Sequence, residues 1–215
     1  MPNLPFKFSG YAVWLSVSDP TSVREVMDSL ETSLSLSRIA EPHVTFLYGA
    51  PFGSDVAASE AFRTVVSSVR NAIALGEEDA KLKPKGVVAD SCFGRMDMNW
   101  AEITLKASNN LTALQSEASE IFSPEPLPAA VLTDDENESD EDSKKKKKAP
   151  NAWRPHLSLA YDDVSTASLT LERVLVEAGK RPGLLGERRI TGMSLWDMEG
   201  LTVDEWRKVD EVKFE

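Results

Sequence analysis

Two seven-residue segments of this chain are near copies of one another: Pro42-His43-Val44-Thr45-Phe46-Leu47-Tyr48 and Pro155-His156-Leu157-Ser158-Leu159-Ala160-Tyr161. Between them they hold both of the chain's histidines. Each reads as a β-strand, so the fold must accommodate two matching strands from distant parts of the chain. The pattern around the first copy is clear. Tyr11–Val17 is apolar and β-prone, and Asp19-Pro20 offers an N-cap followed by proline at the first helical position. Val23, Val26, Met27, Leu30 and Leu34 then recur at helical spacing. The strand Pro42–Tyr48 is expected to stop at Gly49. A second helix, about Ser54 to Leu75, presents Phe62, Val65, Val66, Val69 and Ile73 at the same offsets.

The second half follows a similar order. Lys85–Phe93 and Asn99–Lys106 read as strands paired across a turn near Gly94–Asp97. A helix from about Asn110 to Phe122 is expected to turn Leu111, Leu114, Ala118, Ile121 and Phe122 inward. The strand Arg154–Tyr161 carries the second histidine, and a helix from about Ser165 to Ala178 stops at Gly179. Two strands, about Arg189–Asp197 and Trp206–Phe214, close the chain. Residues 124–150 interrupt this order with Pro124-Glu125-Pro126-Leu127-Pro128, an acidic run from Asp134 to Asp142, and Lys144–Lys148. Such a composition cannot bury an apolar face. It is expected to be a flexible low-complexity insertion within one domain, 1–215, and not a domain boundary.

Side chains two apart on a strand share a face, which puts His43 with Thr45 and His156 with Ser158. Val44, Phe46 and Tyr48 then pack on the opposite face, as do Leu157 and Leu159. If the two strands lie together about a pseudo-twofold axis, two imidazoles and two hydroxyls converge. That set suits a phosphodiester. One imidazole takes a proton from water while the other protonates the departing alkoxide, and an ordinary histidine titrates near enough to neutrality for either role. The hydroxyls donate to the non-bridging oxygens, where charge builds up. A metal site fits poorly, because each motif supplies one nitrogen and no Asp, Glu or Cys stands two residues away. No metal and no cofactor are expected.

The paired His-x-Thr and His-x-Ser motifs resemble those of the 2H phosphoesterase superfamily, over nearly the whole chain outside the insertion. Within it, Tyr11-Ala12-Val13-Trp14, the two Pro-His segments and the Trp196 strand are most similar to the cyclic phosphodiesterases of plants and fungi. The resemblance implies an α+β fold of two pseudo-twofold lobes, with antiparallel sheets facing a central groove and helices outside. It also implies metal-independent opening of cyclic phosphates on nucleotide-type substrates: ADP-ribose 1″,2″-cyclic phosphate, a product of tRNA splicing, and nucleoside 2′,3′-cyclic phosphates. Carried over by position, His43 and His156 become the acid–base pair, without deciding which is which, and Thr45 and Ser158 the phosphate binders. Trp14, Phe93 and Tyr161 occupy the places of the family's aromatic lining. Strict alternation turns Tyr161 away from His156, so it contributes only if the strand ends or twists.

The net charge of −11 argues against a long nucleic-acid track and for a small-molecule cyclic nucleotide. The seven acids and five lysines between Asp134 and Lys148 account for only −2 of it, so the rest of the chain carries −9. The groove then needs local positive charge, for which Arg154, Arg95 and Lys85 are the candidates. An RNA-end-processing relative (2′-5′ RNA ligase-like or U6 exonuclease-like) and a non-catalytic nucleotide-binding module are the alternatives. A single cysteine, Cys92, and the lack of an apolar leader or span point to the cytoplasm, or the nucleus, with no membrane partner; a monomer is expected.

Overall fold

The computed structural model describes residues 9–36, 38–91, 98–122, 153–163, 169–200 and 203–214. Phe93, Arg95 and the 124–150 insertion lie outside them. Along the chain run β1 (Tyr11–Val17), α1 (Pro20–Leu34), β2 (Val44–Ala50), α2 (Asp55–Leu75), β3 (Lys81–Ser91), β4 (Met98–Lys106), α3 (Asn109–Phe122), β5 (His156–Asp163), α4 (Leu171–Gly179), β6 (Arg188–Asp197) and β7 (Arg207–Lys213).

Alternation in β1 sets the two layers. Val13 and Leu15 face the helices, while Ala12 and Trp14 face the other way into a second, aromatic cluster. The helices cover the first face with Val23, Val26, Met27 and Leu30 of α1, Phe62, Val65, Val66 and Val69 of α2, Leu111, Ala118 and Phe122 of α3, and Val174 of α4. Fully burying one such side chain contributes roughly 1.5–3 kcal/mol. Ile121, expected inside, is exposed, because Phe122 and Ala118 already fill the contact between α3 and the sheet.

Every strand pairing among the described residues is antiparallel. The order is β1-β2-β5-β4-β3-β6-β7, and β1 also pairs with β6, so the sheet closes on itself. The two sheets expected from the sequence are thus one closed sheet, joined by two short seams. One seam is the single pair Val44↔Leu157 between β2 and β5, and the other is Lys81↔Arg189 and Leu82↔Arg188 between β3 and β6.

Two local expectations give way to tertiary contacts. Asp19 does not cap α1: its φ is 48° and its side chain makes no capping bond. Its carboxylate meets the buried Arg188 at 2.7 Å, and the same guanidinium donates to the carbonyls of Asp19, Gly183 and Leu184 and to Ser22 Oγ. Nor does Gly49 end β2. It takes φ +85° within the strand, which continues to pair Ala50 with Tyr11; glycine adopts that backbone without steric cost.

Candidate functional site

Both histidines sit at the start of a strand behind a proline. Proline biases the residue before it toward extended backbone, and in each motif the carbonyl of that residue accepts from the imidazole. His43 Nδ1 lies 2.7 Å from the Glu41 carbonyl, and His156 Nδ1 lies 2.9 Å from the Arg154 carbonyl. A carbonyl only accepts, so each Nδ1 carries a proton and each Nε2 is left to face a ligand. The strands meet at Val44↔Leu157. Continuing that register one residue either way sets His43 beside Ser158 and Thr45 beside His156. The four motif residues therefore gather at the seam, and His43 feels the charge of His156.

The strands then depart from strict alternation in the same way. Between β1 and β2 the register passes from Trp14↔Thr45 to Val13↔Leu47, leaving Phe46 as an extra residue. Between β4 and β5 it passes from Glu102↔Ser158 to Ala101↔Ala160, leaving Leu159 as the extra one. A bulge of one residue reverses every later side chain. Tyr48 consequently lies opposite Ala12, on the Trp14 face and not the helix face expected for it. Tyr161 lies opposite Trp100, on the face of Ser158. The Tyr161 hydroxyl donates to Ser158 Oγ at 2.9 Å. Burial pushes that phenol up to about 12, so it stays protonated and leaves the serine's own proton for a ligand oxygen. Tyr48 remains 42% exposed.

The two imidazoles differ in surroundings. His43 is only 2% exposed. Its ring stacks on Trp14 with centroids 3.4 Å apart and planes 4° apart. Trp14 in turn stacks on Trp196 at 4.3 Å and meets Trp206 edge-on at 5.9 Å. Trp14 stands between His43 of one neighbouring strand and Trp196 of the other, with 1% exposure. That leaves it no ring face for a nucleobase. Burial, the largest influence, holds the His43 imidazole down at about 3, with His156 and Arg24 acting in the same sense; it is neutral at neutral pH. Outside this stack, Trp196 Nε1 donates to Ser194 Oγ, Ser194 Oγ to Glu41 Oε1, and Lys208 Nζ to Glu41 Oε2. The β6–β7 ribbon thereby holds the segment whose carbonyl holds His43.

The His156 side chain is 30% exposed, with Nε2 3.8 Å from Glu102 Oε2. Glu102 is buried on β4 and accepts from Arg154 Nη2 at 2.6 Å. Arg154, one of the expected sources of positive charge, is thus committed to this carboxylate. Lys85 is exposed on β3. The motif reading missed Glu102, though Trp100-Ala101-Glu102-Ile103-Thr104 places one acid on the polar side of an otherwise apolar strand. No group of three or more His, Cys, Asp or Glu is placed to hold a metal ion among the described residues. Chemically, the seam brings together two imidazoles and two hydroxyl-bearing residues.

Residues 10–213 match the family described as cyclic phosphodiesterase-like protein. No curated protein matches the sequence. Among solved structures, Kluyveromyces marxianus Usb1 with uridine monophosphate is similar at 11% identity and a TM-score of 0.44, covering 93% of this chain and 97% of that one. The structure of Kluyveromyces marxianus Usb1 gives 10% identity and a TM-score of 0.47, over 94% and 96% of the two chains. Both likenesses are too distant to bear on the chemistry.

Proposed function

This chain belongs to the cyclic phosphodiesterase-like protein family and is a phosphodiesterase, and we propose that it hydrolyses cyclic phosphodiesters on nucleotide-type substrates by two-histidine acid–base catalysis. The observation that carries this reading is the matched construction of the two imidazoles. Each is tied through Nδ1 to its own backbone, each offers Nε2, and the two motifs meet at Val44↔Leu157. The short seams between β2 and β5 and between β3 and β6 support a two-lobed arrangement with the substrate between the lobes.

His43, neutral and buried, is the base. Its Nε2 takes a proton from water as the water oxygen bonds to phosphorus. The endocyclic P–O bond breaks, and its electron pair goes to the leaving alkoxide, which takes the proton from His156 Nε2. Thr45 and Ser158 donate to the non-bridging oxygens. The product is a phosphomonoester with one free hydroxyl. Trp14 serves as the wall that sets the plane of His43.

The test is product analysis with ADP-ribose 1″,2″-cyclic phosphate, 2′,3′-cyclic AMP and a short RNA ending in a cyclic phosphate, in EDTA, for the wild type, His43→Ala and His156→Ala. Turnover of the two small substrates should survive chelation and fall by at least roughly a hundredfold in each variant. Loss of activity on chelation, or full activity in either variant, would overturn the mechanism. Preference for the RNA would make the chain an RNA-end-processing enzyme.

A further inference from the structure

We propose that Glu102, held by Arg154, is a positioning residue that keeps a proton on His156 and thereby fixes that ring as the acid; this rests on the phosphodiesterase reading above. Glu102 lies in the uninterrupted alternation Trp100, Glu102, Thr104 of β4, in register with Ser158. It is 1% exposed. A carboxylate there is costly unless paired, and its neighbours along the strand, Ala101 and Ile103, belong to the apolar face.

Its two oxygens have different partners. Oε1 accepts from Arg154 Nη2 at 2.6 Å, while Oε2 faces His156 Nε2 at 3.8 Å. The second distance is too long for a hydrogen bond that would hold the proton back. It is short enough for direct attraction to an imidazolium. The proton therefore stays available to a leaving oxygen while its charge is balanced. Arg154 also supplies the carbonyl that orients the same ring, so one residue fixes both the acid and the carboxylate beside it. The groups bearing on His156 are Glu102 from β4, Arg154 from the segment before β5 and His43 across the seam, while the Tyr161 hydroxyl further along β5 is engaged by Ser158. Of these, only Glu102 supplies a carboxylate. The polar contact of His43 among the described residues is the Glu41 carbonyl.

The chain's two histidines give two imidazole Hε1 signals, which His43→Asn assigns. These are followed against pH in the full-length wild type, Glu102→Gln and Arg154→Met, with thermal melting to check the fold. The His156 midpoint should move to lower pH by roughly half a unit or more in Glu102→Gln and to higher pH in Arg154→Met. The alkaline limb of kcat/KM on 2′,3′-cyclic AMP should move with it. The substituted amide keeps the shape of the carboxylate, and the half-exposed Arg154 side chain is solvated in its absence. A folded Glu102→Gln whose His156 midpoint stays or rises would overturn the role. If that variant does not fold, Arg154→Met decides, and a midpoint that stays or falls there overturns it. The phosphodiesterase reading fails separately, through turnover that persists in His156→Ala.

Discussion

Replacing His43 with glutamine should flatten the acid side of this protein's stability curve. Burial holds the imidazole down at about 3 in the folded chain, against about 6.5 in an unfolded one. Between those values the unfolded chain binds a proton that the folded chain refuses. The sign follows: the penalty is absent above about pH 6.5, grows as pH falls through the window, and is complete below about 3. Each pH unit inside the window costs about 1.4 kcal/mol. The loss on going from neutral pH to about pH 5 is then about 2 kcal/mol, or roughly thirtyfold in the folded-to-unfolded ratio. Urea unfolding at the two pH values, followed by tryptophan fluorescence, measures it for the wild type and His43→Gln. The variant loses the Trp14 stack and is less stable at both values. The carboxylates titrate alike in both proteins, however, so the difference of differences isolates the imidazole. The wild type should lose about 2 kcal/mol more than the variant. Equal losses would mean that folding does not hold the His43 imidazole down, and the neutral, buried ring assigned as the base would lose its physical ground.

Tyr161→Phe removes the hydroxyl that orients Ser158; kcat should fall about five- to tenfold, with KM and melting temperature little changed, and an unchanged kcat in steady-state assays would refute that role. Tyr48→Ala strips an exposed ring from the site face. KM for 2′,3′-cyclic AMP should rise roughly fivefold or more, while a ribose cyclic phosphate without a base should show no change; equal effects on both would exclude stacking. Arg188→Met leaves the carbonyls of Asp19, Gly183 and Leu184 without the guanidinium that donates to them, while the Asp19 side chain, 59% exposed, stays solvated and keeps the Ser22 hydroxyl. Chemical unfolding should show a loss of roughly 1–3 kcal/mol, with kcat/KM unaltered at temperatures where the chain stays folded.

The repeated local patterns were legible because they are governed by near neighbours. Strand β1 falls on Tyr11–Val17 as the composition predicts, and α1 buries Val23, Val26, Met27 and Leu30 as its spacing predicts. The paired motifs were legible for the same reason. What the chain does not display is decided at a distance. Neither Phe46 nor Leu159 carries a bulge signal such as glycine, so alternation put Tyr48 on the helix face and could not bring Tyr161 to Ser158. Strand β3 begins at Lys81, four residues before the expected Lys85, because the polar Lys-Leu-Lys-Pro-Lys stretch gains partners on β4 and β6. Asp19 reads as a cap until Arg188 claims it. Glu102 reads as an ordinary strand acid until Arg154 and His156, fifty residues on, close over it.

Each imidazole is fastened by its own main chain, so each works from one side only, and neither can swivel to offer its other nitrogen. One turnover of the proposed reaction leaves His43 charged and His156 stripped. A ring lodged among indoles discharges readily, whereas its counterpart has an acid at hand to welcome the charge. In that reading, re-arming the pair is a downhill proton relay between unlike surroundings, from a dry imidazole to a wet one.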